Sequence, residues 1–143
     1  MSESNLAASF LIGQSFLHSK LQRKVDGQLS MHGISFTEYQ IMHHLANAPE
    51  QTMRRIELAD SVGISASGVT RLLAPMEKNH LIEKRSNPRD ARVSLVKLSK
   101  VGATLFQDAS VSFGYCAEDL TSMLSTKQLE NLIDLSNRLI DGR

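Results

Sequence analysis

Two short stretches of this sequence concentrate the residue types that hold a polyanion. Ser65, Ser67, Gly68, Thr70 and Arg71 fall in the first, and Arg85, Arg89, Asp90 and Arg92 in the second. Hydroxyls and helix-terminal amides bind phosphate oxygens, and glycine lets a backbone approach closely. An arginine guanidinium can fork onto guanine or onto a phosphate. The charge follows the same division. From Ile64 to Lys100 there are eight Lys and Arg against three Asp and Glu. The whole chain is only +1, so the remainder carries a surplus of four negative charges. A basic centre between acidic flanks is what a local polyanion contact would look like.

Catalytic chemistry finds little support. The single cysteine, Cys116, lies on an apolar helical stripe, where a thiol is ordinarily buried and inert. No phosphate-cradling glycine loop, nucleophile elbow or His-Glu metal motif occurs. His43 and His44 are adjacent and so point about 100° apart on a helix, while His18, His32 and His80 are isolated. The expectation is therefore a protein that is not an enzyme and has no cofactor and no metal. One cysteine also excludes an internal cystine framework. The longest uncharged stretch, Ser4–Ser19, is too short and polar for a membrane span and lacks a signal peptide's basic start. A cytoplasmic protein with no membrane partner is expected. At 143 residues, 41% hydrophobic and 22% charged, the chain has ordinary globular composition.

The elements that must position the two polar stretches follow from periodicity. Residues 6–29 carry Leu6, Phe10, Leu17, Leu21 and Val25 at helical spacing. Ser35 and Glu38 form a capping-box pattern opening a helix that buries Tyr39, Ile41, Met42 and Leu45. Thr52 is the expected cap of a short helix bearing Ile56, Leu58, Ala59 and Val62, with Gly63 as its left-handed stop. Ser65 caps the next helix after one intervening residue, which makes a helix-turn-helix. The inward face of that second helix is Val69, Leu72, Leu73 and Met76, so Ser65, Ser67, Gly68, Thr70 and Arg71 belong to the opposite face. The period then changes to two at Leu81–Arg85 and again at Val93–Leu98. These runs flank a turn-forming segment from Ser86 to Arg92, and a hairpin placed there is a wing. Ser99 caps a long helix with its stripe running from Leu105 to Leu124, and a last helix carries Leu129, Leu132, Ile133, Leu135, Leu139 and Ile140. The terminal helices hold more apolar side chains than one small winged domain can cover. A second copy of the chain is their natural partner.

Residues 57–99 closely resemble the MarR family of winged helix-turn-helix transcriptional regulators. The resemblance rests on Glu57-Leu58-Ala59, Gly63-Ile64-Ser65, Val69–Leu73, Leu81–Lys84, Asn87–Val93 and Val96–Ser99. Asp90-x-Arg92 followed by Leu98-Ser99 is its most specific part. It implies a mainly α fold with a two-stranded β-hairpin wing. The chain then divides into an N-terminal dimerisation helix (1–34), a winged DNA-binding domain (35–100) and C-terminal dimerisation helices (101–143). It also implies a homodimer presenting two winged domains to successive turns of DNA, as a ligand-responsive repressor on an inverted-repeat operator. Arg92 resembles the family arginine that enters the minor groove, and Asp90 the acid that holds it. The effector implied is a small aromatic or amphipathic acid. Phe16, His18, Met31, His32 and Tyr39 are candidates for its pocket, and all have ordinary core or surface roles as well.

Two residues depart from the family pattern. Pro75 falls inside the second helix of the helix-turn-helix, where it removes a backbone hydrogen bond and should kink the chain. His80 stands where the family usually has Gly, so Asn79 or His80 must adopt a left-handed or otherwise adapted backbone. Other readings of the sequence are a winged-helix protein–protein interaction module, a sequence-independent architectural DNA binder, and a redox-responsive regulator using Cys116.

Overall fold

A computed structural model describes residues 2–143. Six α-helices and a small sheet follow one another along the chain. Helix α1 (Glu3–Leu29) leads through a 3-10 turn (Ser30–His32) into α2 (Phe36–Ala46). After the turn Pro49–Gln51 come β1 (Thr52–Arg54), α3 (Arg55–Val62) and α4 (Ala66–Lys78). The wing strands β2 (Ile82–Asn87) and β3 (Asp90–Leu98) precede the long α5 (Lys100–Leu120) and α6 (Thr126–Asp141).

Local sequence chemistry accounts for most of the boundaries. At α2, Ser35 Oγ accepts from the Glu38 amide at 3.1 Å while Glu38 Oε1 accepts from the Ser35 amide at 2.9 Å, the capping box read from the sequence. Ser125 and Gln128 repeat the device at α6. Gly63 ends α3 with φ of 74°, a left-handed conformation that side-chain-bearing residues resist. The tight link to Ser65 follows from it. At the C-terminus of α5, Thr121 caps the helix, so Leu124 lies in the following turn and outside the predicted stripe.

The sheet corrects the sequence reading in two places. Thr52 does not cap α3. It opens β1, which pairs antiparallel with β3 through Thr52↔Lys97, Met53↔Val96 and Arg54↔Leu95. The sheet therefore has three strands in the order β1-β3-β2. Three residues are too few for a period-two signal. The strand exists because β3 offers a second edge of unpaired backbone groups. The hairpin loop is also shorter than the turn-forming residues imply. Pairing between β2 and β3 continues to Asn87↔Asp90 past an irregularity at Ser86/Asn87, leaving only Pro88 and Arg89 at the tip.

The core lies where the end of α1, α2, α3, α4, the sheet and the middle of α5 converge. Leu29, Ile41, Met42, Leu45, Leu58, Val69, Leu73, Met76, Val96 and Leu98 are fully buried there. Pro75 does not interrupt α4, which runs on through Lys78. His80 takes the left-handed conformation anticipated at Asn79 or His80, with φ of 63°. Gly102, in the first turn of α5, sits so close to the end of α4 that an added Cβ would collide with the Leu81 carbonyl oxygen. The helix is thereby seated against the link between α4 and β2. The outer helices are different. No residue of α6 is buried, and Leu132, Ile133, Leu135, Leu139 and Ile140 are exposed. Leu6, Phe10, Leu11, Ile12 and Phe16 of α1 are exposed as well, Ile12 to 74%. So much contiguous apolar surface is unfavourable in water.

Candidate nucleic-acid interface

The polar face of α4 and the tip of the wing carry the residues singled out above. Ser65 caps α4, its Oγ accepting from the Gly68 amide at 3.0 Å and lying 3.2 Å from Ser67 Oγ. The Val69 amide bonds the Ser65 carbonyl. Among the described residues, this leaves the Ala66 and Ser67 amides without a protein acceptor, at the positive end of the helix dipole. A phosphate is the natural ligand for such a terminus.

Gly68 also has a role within the fold. A Cβ there would come within 3.1 Å of Ser65 Oγ and 3.7 Å of Ile64. The missing side chain makes room for the Ser65 cap. Thr70 is likewise committed within the protein. Its Oγ1 donates to the Ala66 carbonyl at 3.1 Å and accepts from Arg55 Nη1 at 2.9 Å. Arg71 is exposed and belongs to no ion pair among the described residues, so its guanidinium is free.

On the wing, Asp90 grips Arg92 in a forked pair. Nε donates to Oδ1 at 3.1 Å and Nη2 to Oδ2 at 3.3 Å, while the Arg92 amide also donates to Oδ1 at 3.0 Å. The Arg92 guanidinium and then its amide hold the Asp90 carboxyl below the ordinary carboxylate range. The arginine side chain is still 91% exposed, so it is oriented without being buried. Arg89 stands at the tip, its amide donating to Asn87 Oδ1 at 2.9 Å, and its side chain is in no ion pair among the described residues. Arg85 is paired instead, with Glu83 two residues away on the same face of β2 at 2.7 Å. Both side chains of this pair stay about half exposed, so it is a weak surface contact. Lys84 reaches from β2 to Glu77 of α4 at 3.5 Å, a link between wing and helix that sequence spacing does not reveal.

The candidate effector residues do not form one group. Tyr39 is buried, its ring 4.6 Å from that of Phe113 and 5.1 Å from that of Phe106, and its hydroxyl 3.0 Å from Ser110 Oγ. Met31 and His32 approach α5, with His32 Nε2 at 2.8 Å from Ser112 Oγ. Phe16 and His18 lie on the exposed surface of α1. Cys116 is half-buried against the core. The rings of His43 and His44 meet edge-on at 5.3 Å. No three His, Cys, Asp or Glu side chains are grouped among the described residues, and no helix there is long and apolar enough to cross a membrane.

One residue of this surface escaped the sequence reading altogether. Arg55, the first residue of α3, is brought to Thr70 from fifteen positions away. Nothing in its local sequence distinguishes it from Arg54.

Comparison with known proteins agrees with this arrangement. The MarR family model matches residues 32–93. The HTH-type transcriptional regulator MhqR of Bacillus subtilis is 19% identical over 139 residues, covering 97% of this chain and 93% of that protein. The transcriptional repressor MprA of Escherichia coli K12 is 25% identical over 124 residues, covering 87% and 70%. A crystal structure of an E. coli MarR mutant complexed with operator DNA superposes with a TM-score of 0.84 at 21% identity, covering 97% of this chain and 99% of that one. The helix-turn-helix, its wing and the helices on either side thus recur together, and the chain has the winged helix-turn-helix fold and resembles the MarR family of transcriptional regulators.

Proposed function

We propose that this protein is a homodimeric repressor that binds an inverted-repeat operator in double-stranded DNA and responds to a small molecule. The observation that carries the reading is the forked Asp90–Arg92 pair. It spends a carboxylate to orient a solvent-exposed guanidinium at the wing, which stabilises the monomer little but prepares the arginine for a groove. Beside it, α4 offers the free Arg71 and two unpartnered amides. In this assignment α4 enters the major groove and Arg71 reads a base edge or a flanking phosphate. Arg92 enters the adjacent minor groove, and Arg89 adds a phosphate contact.

Dimerisation is supported by the exposed apolar faces of α1 and α6, which a second copy would bury. Repression is supported by the name of the E. coli relative, a transcriptional repressor, and operator binding by the structural relative crystallised with operator DNA. The protein acts in the cytoplasm, where its DNA is. The effector, a small aromatic or amphipathic acid, shifts the population toward a spacing of the two α4 helices that mismatches successive grooves.

Selection of bound genomic fragments at about physiological salt tests the reading, with wild type and Arg92→Ala in parallel. Recovery of a shared inverted repeat by wild type, weakened in the variant, is expected. Recovery without a shared sequence would make the protein an architectural binder, and no recovery would leave a protein-binding module.

A further inference from the structure

The Arg55–Thr70 contact changes which residue does the work at the second turn of α4. A threonine hydroxyl has one proton, and that of Thr70 goes to the Ala66 carbonyl. One of its lone pairs is taken by Arg55 Nη1 at 2.9 Å. Thr70 therefore has no donor left for a phosphate or for a base acceptor. Arg55 is in the opposite condition. Its Nε is buried without an acceptor, it is in none of the ion pairs among the described residues, and only Nη1 is engaged. A guanidinium has five N–H donors, so most of its donor capacity is unspent. The one bond it makes fixes the plane of the fork against the polar face of α4. An arginine held beside that face by a neutral hydroxyl, with its charge unanswered, is prepared for an anion.

We infer that Arg55 contacts a DNA phosphate at the rim of the major groove and that Thr70 is its positioning residue. The inference rests on the DNA-binding reading above. The first helix of a helix-turn-helix crosses the sugar-phosphate backbone while the second enters the groove. Arg55 opens that first helix and leans on the second, so a phosphate, rather than a base edge, lies within its reach. A single phosphate contact adds affinity without sequence preference and contributes about 0.9 to the salt slope. The hydroxyl of Thr70 supplies orientation alone.

The test measures anisotropy of a short labelled duplex bearing the sequence that wild type recovers from a random library, with a scrambled duplex beside it. Wild type, Arg55→Gln, Thr70→Val, Thr70→Ser, the Arg55→Gln/Thr70→Val double variant and Arg92→Ala are compared across a series of salt concentrations. Arg55→Gln is expected to weaken binding about tenfold on both duplexes and to lower the salt slope by about 0.9. Thr70→Val, which keeps the size and the methyl, is expected to lose a good part of that, and Thr70→Ser to restore it. The double variant is expected to bind no worse than Arg55→Gln alone. Wild-type affinity and slope in Arg55→Gln, with Arg92→Ala still weakened, would overturn the inference and leave the DNA-binding reading standing. A change confined to the selected duplex would also overturn it, by making Arg55 a base reader. Full additivity of the two substitutions would remove Thr70 as the positioning residue. Failure of wild type to recover or bind any duplex would overturn both readings together.

Discussion

Ser99 Oγ donates to the His80 carbonyl at 2.6 Å and accepts from the Gly102 amide at 2.9 Å, so one hydroxyl joins the end of α4 to the start of α5. The Ser99 amide adds a bond to the Leu81 carbonyl at 3.1 Å. His80 is the residue that turns the chain between α4 and the wing, and it does so in the left-handed region, with φ of 63°. The turn is closed by the Leu81 amide on the Met76 carbonyl and the His80 amide on that of Glu77, the double bond that ends many helices. A residue with a Cβ is strained there, and the Ser99 bond helps to hold it.

This relationship separates two substitutions by sign. His80→Gly relieves the left-handed strain and is expected to stabilise the protein by about 1 kcal/mol. Ser99→Ala removes a helix cap and leaves the His80 carbonyl without its donor, at a cost of about 1–2 kcal/mol. Urea unfolding of both variants against wild type checks the signs. A destabilised His80→Gly would mean that the imidazole contributes more than its backbone costs.

Pro75 sits on the exposed side of an unbroken α4 and leaves the Arg71 carbonyl without its helical amide. Pro75→Ala supplies that amide and is expected to stabilise the fold by about 1–3 kcal/mol, the upper value being the full proline penalty in a helix. The substitution lies beyond the turns that carry Ser67, Thr70 and Arg71. DNA affinity should therefore stay within about twofold of wild type, a margin well below one charged hydrogen bond. Thermal unfolding and anisotropy measured on the same preparation test both halves.

The forked pair on the wing fixes the titration of Asp90. Because Arg92 lowers its pKa in the folded state, the pair is fully formed above the ordinary carboxylate pKa and is lost as pH falls through the lowered value. Carboxyl chemical shifts of Asp90 should show a midpoint below that of an exposed aspartate. In Arg92→Ala the midpoint should return toward the ordinary value. An unmoved midpoint would show that the guanidinium is not seated on Asp90 in solution.

His44 gives the opposite end of the pH scale some content. Burial, and then the charge of the neighbouring His43, hold its pKa below the ordinary imidazole value of about 6.5. The unfolded chain therefore binds this proton more readily. The resulting stability is intact above the ordinary imidazole pKa and is lost as pH falls from there through the lowered value. Urea midpoints should fall between about pH 7.5 and 5.5, and the fall should be smaller in His44→Gln. An equal fall in both proteins would assign the pH dependence to other groups.

Much of this molecule is legible from local sequence because local forces set it. The Ser35–Glu38 capping box, the Gly63 stop, the Ser65 cap and the Asp90–Arg92 pair each involve residues no more than three apart or a single backbone conformation. Side-chain chemistry alone decides such features. The apolar spacing of 57–99 was enough to identify the helix-turn-helix and the wing. What the sequence left open depends on chain segments that meet across many positions. Strand β1 forms only because β3 arrives beside it forty-odd residues later, with Thr52 opposite Lys97. Thr70 is claimed by Arg55, which stands fifteen positions away at the start of another helix. Residue type and spacing determined which side chains could meet an anion. Tertiary packing decided which of them are free to do so, because a donor already satisfied within the fold has nothing left to offer a partner.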